Sequence, residues 1–82
     1  MINSAFMAAR AKALAARLQR ESTEDRARIA HAYELLYSRS PAASETALGL
    51  AFLADTASGD AKSRWESYAQ VLLAAHEFGQ IQ

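Results

Sequence analysis

Alanine sets the scale of what this chain can fold into. Twenty alanines supply nearly half of the apolar residues among 82, and only 22 apolar residues are larger. Alanine is the strongest helix former, and its single methyl lets helices approach closely. A chain this short buries only roughly 60–65% of its unfolded surface. The expectation is one all-α domain with a thin, closely packed core and too few large side chains to enclose a pocket.

Local signals divide the chain into four helices. The first spans about 4–20, with Asn3 or Ser4 able to accept from the opening N–H groups. Phe6 or Met7, Leu14 and Leu18 recur at helical spacing, with Ala11 between them. The second spans about 23–38. Ser22 followed by Asp25 has the shape of a capping box. Ile29, Ala32, Tyr33 and Leu36 form its inner line. Pro41 disfavours the helical conformation at Ser40 and stops the helix.

The third helix spans about 43–55, capped by Ser40 or Ala42, with Leu48, Ala51 and Phe52 on one face and Leu50 and Leu53 widening it. Gly49 inside it costs about 1 kcal/mol relative to alanine, and close approach of another helix is a reason to keep it. The polar loop "DTASGDAKS" leads to the fourth helix, about 62–78, capped by Asp60 or Ser63. Trp65, Tyr68 or Ala69, Leu72 and Ala75 or His76 face inward. Val71, Leu73 and Phe78 broaden that stripe, and Gly79 suits the C-terminal cap. Short connections imply antiparallel neighbours, hence a small four-helix bundle of two antiparallel helical hairpins.

Several chemistries are excluded or weakly supported. The chain has no cysteine, so disulfides, zinc–thiolate sites and thiol nucleophiles are out. No run approaches the ~20 apolar residues of a membrane span. The acid-free, Ala- and Arg-rich start superficially resembles a transit peptide, but reads as an ordinary first helix. No serine lies in a Gly-x-Ser-x-Gly turn, and the three glycines are too dispersed to cradle a phosphate. His31 and Glu34 share a helical face, yet their order reverses the Glu-x-x-His of carboxylate-bridged metal bundles and no second motif accompanies them. His76 and Glu77 are adjacent and point about 100° apart. No catalytic, cofactor-binding or metal residue is assigned.

Charge argues against nucleic acid. Nine basic and nine acidic residues cancel; residues 1–40 carry net +3 and residues 41–82 net −3. This reads mainly as complementarity between the halves of the chain. Were the second and third helices a helix-turn-helix, the reading helix "ASETALGLAFLAD" would hold no Arg, Lys, Asn or Gln to contact bases.

The segment "RIAHAYELLYSRSP" is the most informative. Tyr33 fits the inner line, and Tyr37 packs at the helix end with its hydroxyl available near the Arg-Ser-Pro corner. Arg39 can donate to the last carbonyls or pair with Glu45 across the turn. The stretch reads as a structural corner. Tyr37, Arg39, Trp65 and His76 form the candidate interaction surface. Phe6, Leu14, Leu18, Ile29, Tyr33, Leu36, Pro41, Leu48, Phe52 and Leu72 are the candidate structural residues.

"NSAFMAARAKALAARL", "RIAHAYELLYSRSPAASETALGLAFL" and "RWESYAQVLLAAHEF" together resemble the C-terminal end of large uncharacterised planctomycete proteins carrying domain of unknown function 1553, the "PSD" family. Matching positions are Asn3, Ser4, Phe6, Arg28, Ile29, Tyr33, Leu35, Arg39, Pro41, Glu45, Leu72, Glu77 and Phe78. Ala42 stands where that family often has Ser or Thr, His76 where it has Asn, and Gly79 begins a different tail. The resemblance implies a terminal fragment or stand-alone version of such a module. The parent proteins often carry cytochrome-like or carbohydrate-associated domains and are thought to be exported, though no signal lies in this chain.

The expected function is a non-catalytic accessory or interaction module, docking to other domains of a parent protein, to a protein partner or to itself. The rival is an accessory domain of a carbohydrate-associated enzyme, contacting substrate around Tyr37, Arg39, Trp65 and His76. Nucleic-acid binding is a distant third.

Overall fold

The computed structural model describes residues 4–81, with side chains described for 5–57 and 59–77. Four α-helices follow in order: α1 (Ser4–Glu21), α2 (Asp25–Tyr37), α3 (Ala43–Ala54) and α4 (Ala61–Ile81), with a 3₁₀ turn at Thr56–Ser58 before α4. The described residues contain no strand, and the chain is an all-α bundle. Its radius of gyration is 12.1 Å, close to the ~12 Å of a compact chain of this length.

Contacts at the helix ends fix the directions. Arg10 of α1 pairs with Glu77 of α4 at 3.5 Å, while the start of α4 meets the start of α2, just past the far end of α1, through Trp65 and Asp25. These two helices are therefore antiparallel, and theirs is the most extensive packing in the molecule. Helices α1 and α2 form one hairpin, and α3 and α4 the other. The long packed seam runs between hairpins.

Alanine makes that seam close. Ala11, Ala15, Ala32 and Ala69 are each at most 1% exposed, beside fully buried Leu18, Ile29 and Trp65. Met7, Tyr33, Leu53, Tyr68, Leu72 and Leu73 complete the core, with Leu14, Leu36, Leu50 and Phe52 packed partly buried against it.

Several expected inward residues lie outside instead, exposed Ala51 of α3 among them. Phe6 is 61% exposed, because Met7 takes the inner position and Phe6 turns to lie against the Arg10 guanidinium. Leu48 is 71% exposed and Val71 51% exposed. Both flank the crossing of α3 and α4, where Gly49 and Tyr68 occupy the inner positions.

The helix ends differ from the expected ones in physically readable ways. Ser22 continues the α1 ladder, its N–H donating to Leu18 O at 3.1 Å, so it does not cap α2. The cap position of α2 is Glu24, without a side-chain bond. Arg28 holds this corner instead. Its guanidinium donates to Ser22 O (2.8 Å), Gln19 O (3.4 Å) and Asp25 Oδ1 (3.1 Å), satisfying carbonyls at the end of α1. Helix α2 ends at Tyr37 before proline acts, because Ser38 turns left-handed (φ 57°) and donates its N–H to Glu34 O. Pro41 then sits half-buried in the extended link to α3.

Ala42 is the cap position of α3 and lacks a side-chain acceptor; Glu45 supplies the reciprocal half of a capping box by accepting from Ala42 N–H at 2.8 Å. Asp60 caps α4 by accepting from Ser63 N–H at 2.8 Å. Asp55 likewise accepts from Ala57 N–H, and Gly59 takes the positive φ (105°) that links the 3₁₀ turn to α4. Helix α4 runs through Gly79, which therefore is not its cap. The expected cap at Asn3 and the packing of Phe78 lie outside the described residues.

Candidate functional site

The α2–α3 corner and the α3–α4 hairpin enclose an open groove of about 550 Å³. Its two walls share one register. Glu45, Leu48, Gly49 and Phe52 line it from α3; Tyr68, Val71, Leu72 and Ala75 line it from α4. Each set reads i, i+3, i+4, i+7, the stripe one helix presents to another. Tyr33 and Tyr37 from α2, and Arg39 from the link after it, close the end of the groove. The composition argued against any pocket. The groove exists because Leu48 and Val71 stand on the rims instead of filling the space between the helices, while the space over Gly49 is taken by Tyr68 and Ile29.

The Arg39–Glu45 pair closes one end. Arg39 Nη1 and Nη2 donate to Glu45 Oε1 and Oε2 at 2.8 and 2.9 Å, a bidentate geometry that fixes orientation as well as distance. The guanidinium also lies 5.3 Å from the Tyr33 ring centroid and 5.8 Å from that of Tyr37, within cation–π range. Hydrogen bonds from Arg39 and from Ala42 N–H hold the Glu45 carboxyl down at about 2, against an ordinary 4.5. Of the two partners considered for Arg39, Glu45 is the one it takes, and Arg39 donates in addition to Ser40 O at 3.1 Å.

The tyrosines are held by one another and by α4. The Tyr33 and Tyr37 rings meet edge-on at 5.0 Å. Tyr37 O–H donates to Leu72 C=O at 2.7 Å, so its hydroxyl reaches across to α4 and not to the Arg-Ser-Pro corner. The Tyr33 and Tyr68 hydroxyls influence one another's titration between α2 and α4. Burial pushes the phenol of each of the three tyrosines above its ordinary value of 10.0. At neutral pH all three are uncharged, and none supplies a phenolate.

Of the four residues expected on an interaction surface, three come together. Tyr37 and Arg39 line the groove, and the His76 ring lies 5.8 Å from that of Tyr37. Trp65 does not join them. It is 1% exposed at the opposite end of the bundle, where its Nε1–H donates to Asp25 Oδ1 at 3.0 Å. An indole is the largest side chain available to a thin core, and Asp25 gives its N–H a partner, so burial wins. Sequence reasoning missed Glu45, Leu48, Gly49, Phe52 and Val71 as groove residues. The available signal was the Leu48-Gly49 pair, where a large side chain and a missing one stand side by side in α3.

Among the described residues no group of three or more His, Asp or Glu side chains is placed to hold a metal ion. No described helix is long and apolar enough to cross a membrane. His31 does not meet Glu34. Its Nε2 lies 2.7 Å from Glu21 Oε1, which joins the end of α1 to α2 and lowers the Glu21 carboxyl. The chain matches no protein-family model, no curated protein and no solved structure.

Proposed function

We propose that this chain is a non-catalytic accessory module whose groove receives an apolar helix. The observation that carries the reading is the paired i, i+3, i+4, i+7 walls of α3 and α4. Two such ridges, splayed apart, offer a third helix the packing geometry that helices offer each other. The strongest polar groups of the groove are already engaged: Arg39 with Glu45, and Tyr37 with Leu72 C=O. What is left to a visitor is apolar contact at Leu48, Phe52, Val71 and Ala75. Neutral tyrosines and a neutralised Arg–Glu pair also make poor proton-transfer groups, which favours docking over chemistry. A visitor from another domain of a larger parent protein, or from a separate partner, would fit the resemblance to the C-terminal end of the planctomycete family.

The test is selection of displayed amphipathic helices against the 82-residue domain, followed by binding to variants. Selected peptides are expected to carry apolar residues at i, i+3, i+4 and i+7. They are expected to lose at least about tenfold in affinity against Val71→Glu. Binders indifferent to Leu48 and Val71, or none at all, would remove the reading. The carbohydrate-accessory alternative is favoured by the cluster of Tyr37, Arg39 and His76. It predicts chemical-shift changes at Arg39 and His76 on adding oligosaccharides, and silence across a broad panel counts against it.

A further inference from the structure

We infer that Tyr33, Tyr37 and Glu45 form a binding site for the guanidinium of a partner's arginine side chain, and that the chain's own Arg39 occupies that site as a displaceable plug. The site lies at the end of the groove. It stands apart from the docking reading, because its ligand need not be helical.

The walls of this site are held by contacts that do not involve Arg39. Glu45 accepts from Ala42 N–H at 2.8 Å, a bond between the first turn of α3 and its own cap position. Tyr37 is fixed from its far end, where its hydroxyl donates to Leu72 C=O at 2.7 Å. Tyr33 is a core residue, 7% exposed, and its ring meets that of Tyr37 edge-on at 5.0 Å. Aromatic faces attract cations, and a carboxylate matches the planar fork of a guanidinium. The group seated there is of that kind: bidentate to Glu45 at 2.8 and 2.9 Å, and 5.3 and 5.8 Å from the two ring centroids.

Arg39 is held in the opposite way. It lies on the link between α2 and α3, and its side chain is 52% exposed. Beyond Glu45 and the two rings, it donates only to the carbonyl of its neighbour Ser40. An ion pair this open to water contributes little to stability, so its release costs the fold little. Proximity keeps it seated. Six positions along the chain separate it from Glu45, which gives the plug a high effective concentration. An incoming arginine competes with that, and the contact is autoinhibitory in this sense.

The test is proton NMR titration of the 82-residue protein with ethylguanidinium, which carries the cation on a short alkyl stem. Arg39→Ala and Arg39→Gln each remove the plug, and circular dichroism checks the fold of both. Both are expected to bind the probe at millimolar concentration, its methylene protons shifted upfield by the ring faces. Wild type, and the double variant Arg39→Ala, Glu45→Gln, are each expected to bind at least about fivefold more weakly. Folded Arg39 variants that show no upfield shift overturn the inference, as does binding that is equal in wild type or undiminished by Glu45→Gln. Loss of helical circular dichroism in both Arg39 variants also overturns it, since Arg39 would then be part of the fold and not a plug. No helix enters this titration, so its failure leaves the docking reading standing, and a failure to select helices leaves its result unaffected.

Discussion

Gly49 and Tyr68 compete for one volume. A Cβ at Gly49 would lie 2.5 Å from the Tyr68 hydroxyl oxygen and 2.9 Å from Ile29 Cδ1. The glycine in the middle of α3 is thus the condition for α4 and α2 to pack where they do. Tyr68 is 5% exposed and Ile29 fully buried, so neither neighbour can swing aside freely.

Gly49→Ala should therefore destabilise the domain although alanine is the better helix former. Overpacking costs about 1–3 kcal/mol, towards the upper end where neighbours are rigid. Replacing glycine returns just under ~1 kcal/mol. The expected net loss is about 1–2 kcal/mol by urea unfolding. In a Tyr68→Phe background the same change should cost less, because the nearest atom is gone. A rise in melting temperature for Gly49→Ala alone would contradict this packing.

Tyr33→Ala should cost about 3 kcal/mol or more, since the ring is 7% exposed and packs against Tyr37 and the Arg39 guanidinium. Tyr33→Phe keeps the ring and loses only the hydroxyl, a change of about 1 kcal/mol. Equal losses for the two variants would show that the hydroxyl, not the ring, carries the stability.

The Glu45 carboxyl sets part of the acid limb. Its value in the folded protein is about 2 against 4.5 ordinarily, so the unfolded chain takes up the proton first as pH falls. The stabilisation is complete above about 4.5 and is lost on descent towards 2. Melting temperatures followed between those values should fall less steeply for Glu45→Gln than for wild type. Glu21 and Asp60, also lowered in the fold, keep a residual slope in the variant.

At the alkaline end the sign reverses. Burial raises all three tyrosines above 10.0, so the neutral phenol favours the fold. Their contribution is full below that value and disappears as pH climbs through the raised folded ones. Tyrosinate absorbance at 295 nm should stay low past the ordinary midpoint and then appear together with loss of helical circular dichroism. A smooth titration near 10 in a still-helical protein would place the rings in solvent.

Much of the bundle was legible along the chain. The approximate positions of α1 to α4, the inward Leu18, Ile29, Tyr33 and Leu72 and a close neighbour at Gly49 all follow from spacing and local chemistry, while Asp60 over Ser63 as the α4 cap and Glu45 as the Arg39 partner were each one of two choices left open. Those features depend on residues within a few positions of each other, or on a helix having one apolar side. Phe6 and Met7 are adjacent and equally apolar, so spacing left both open and packing against α4 chose Met7. Trp65 reads alike as a surface aromatic or a core one until Asp25, forty positions away, is seen beneath its indole nitrogen.

The sequence by itself determined that this protein is helical and closely packed, because alanine's backbone preference and small size act locally, whatever the neighbours. Only the tertiary structure decided that a groove opens between α3 and α4. That gap depends on how far apart two helices sit, and the distance is set where Tyr68 meets Gly49. Leu48 and Val71 are left at the rims by that crossing, a consequence that no run of neighbouring residues encodes.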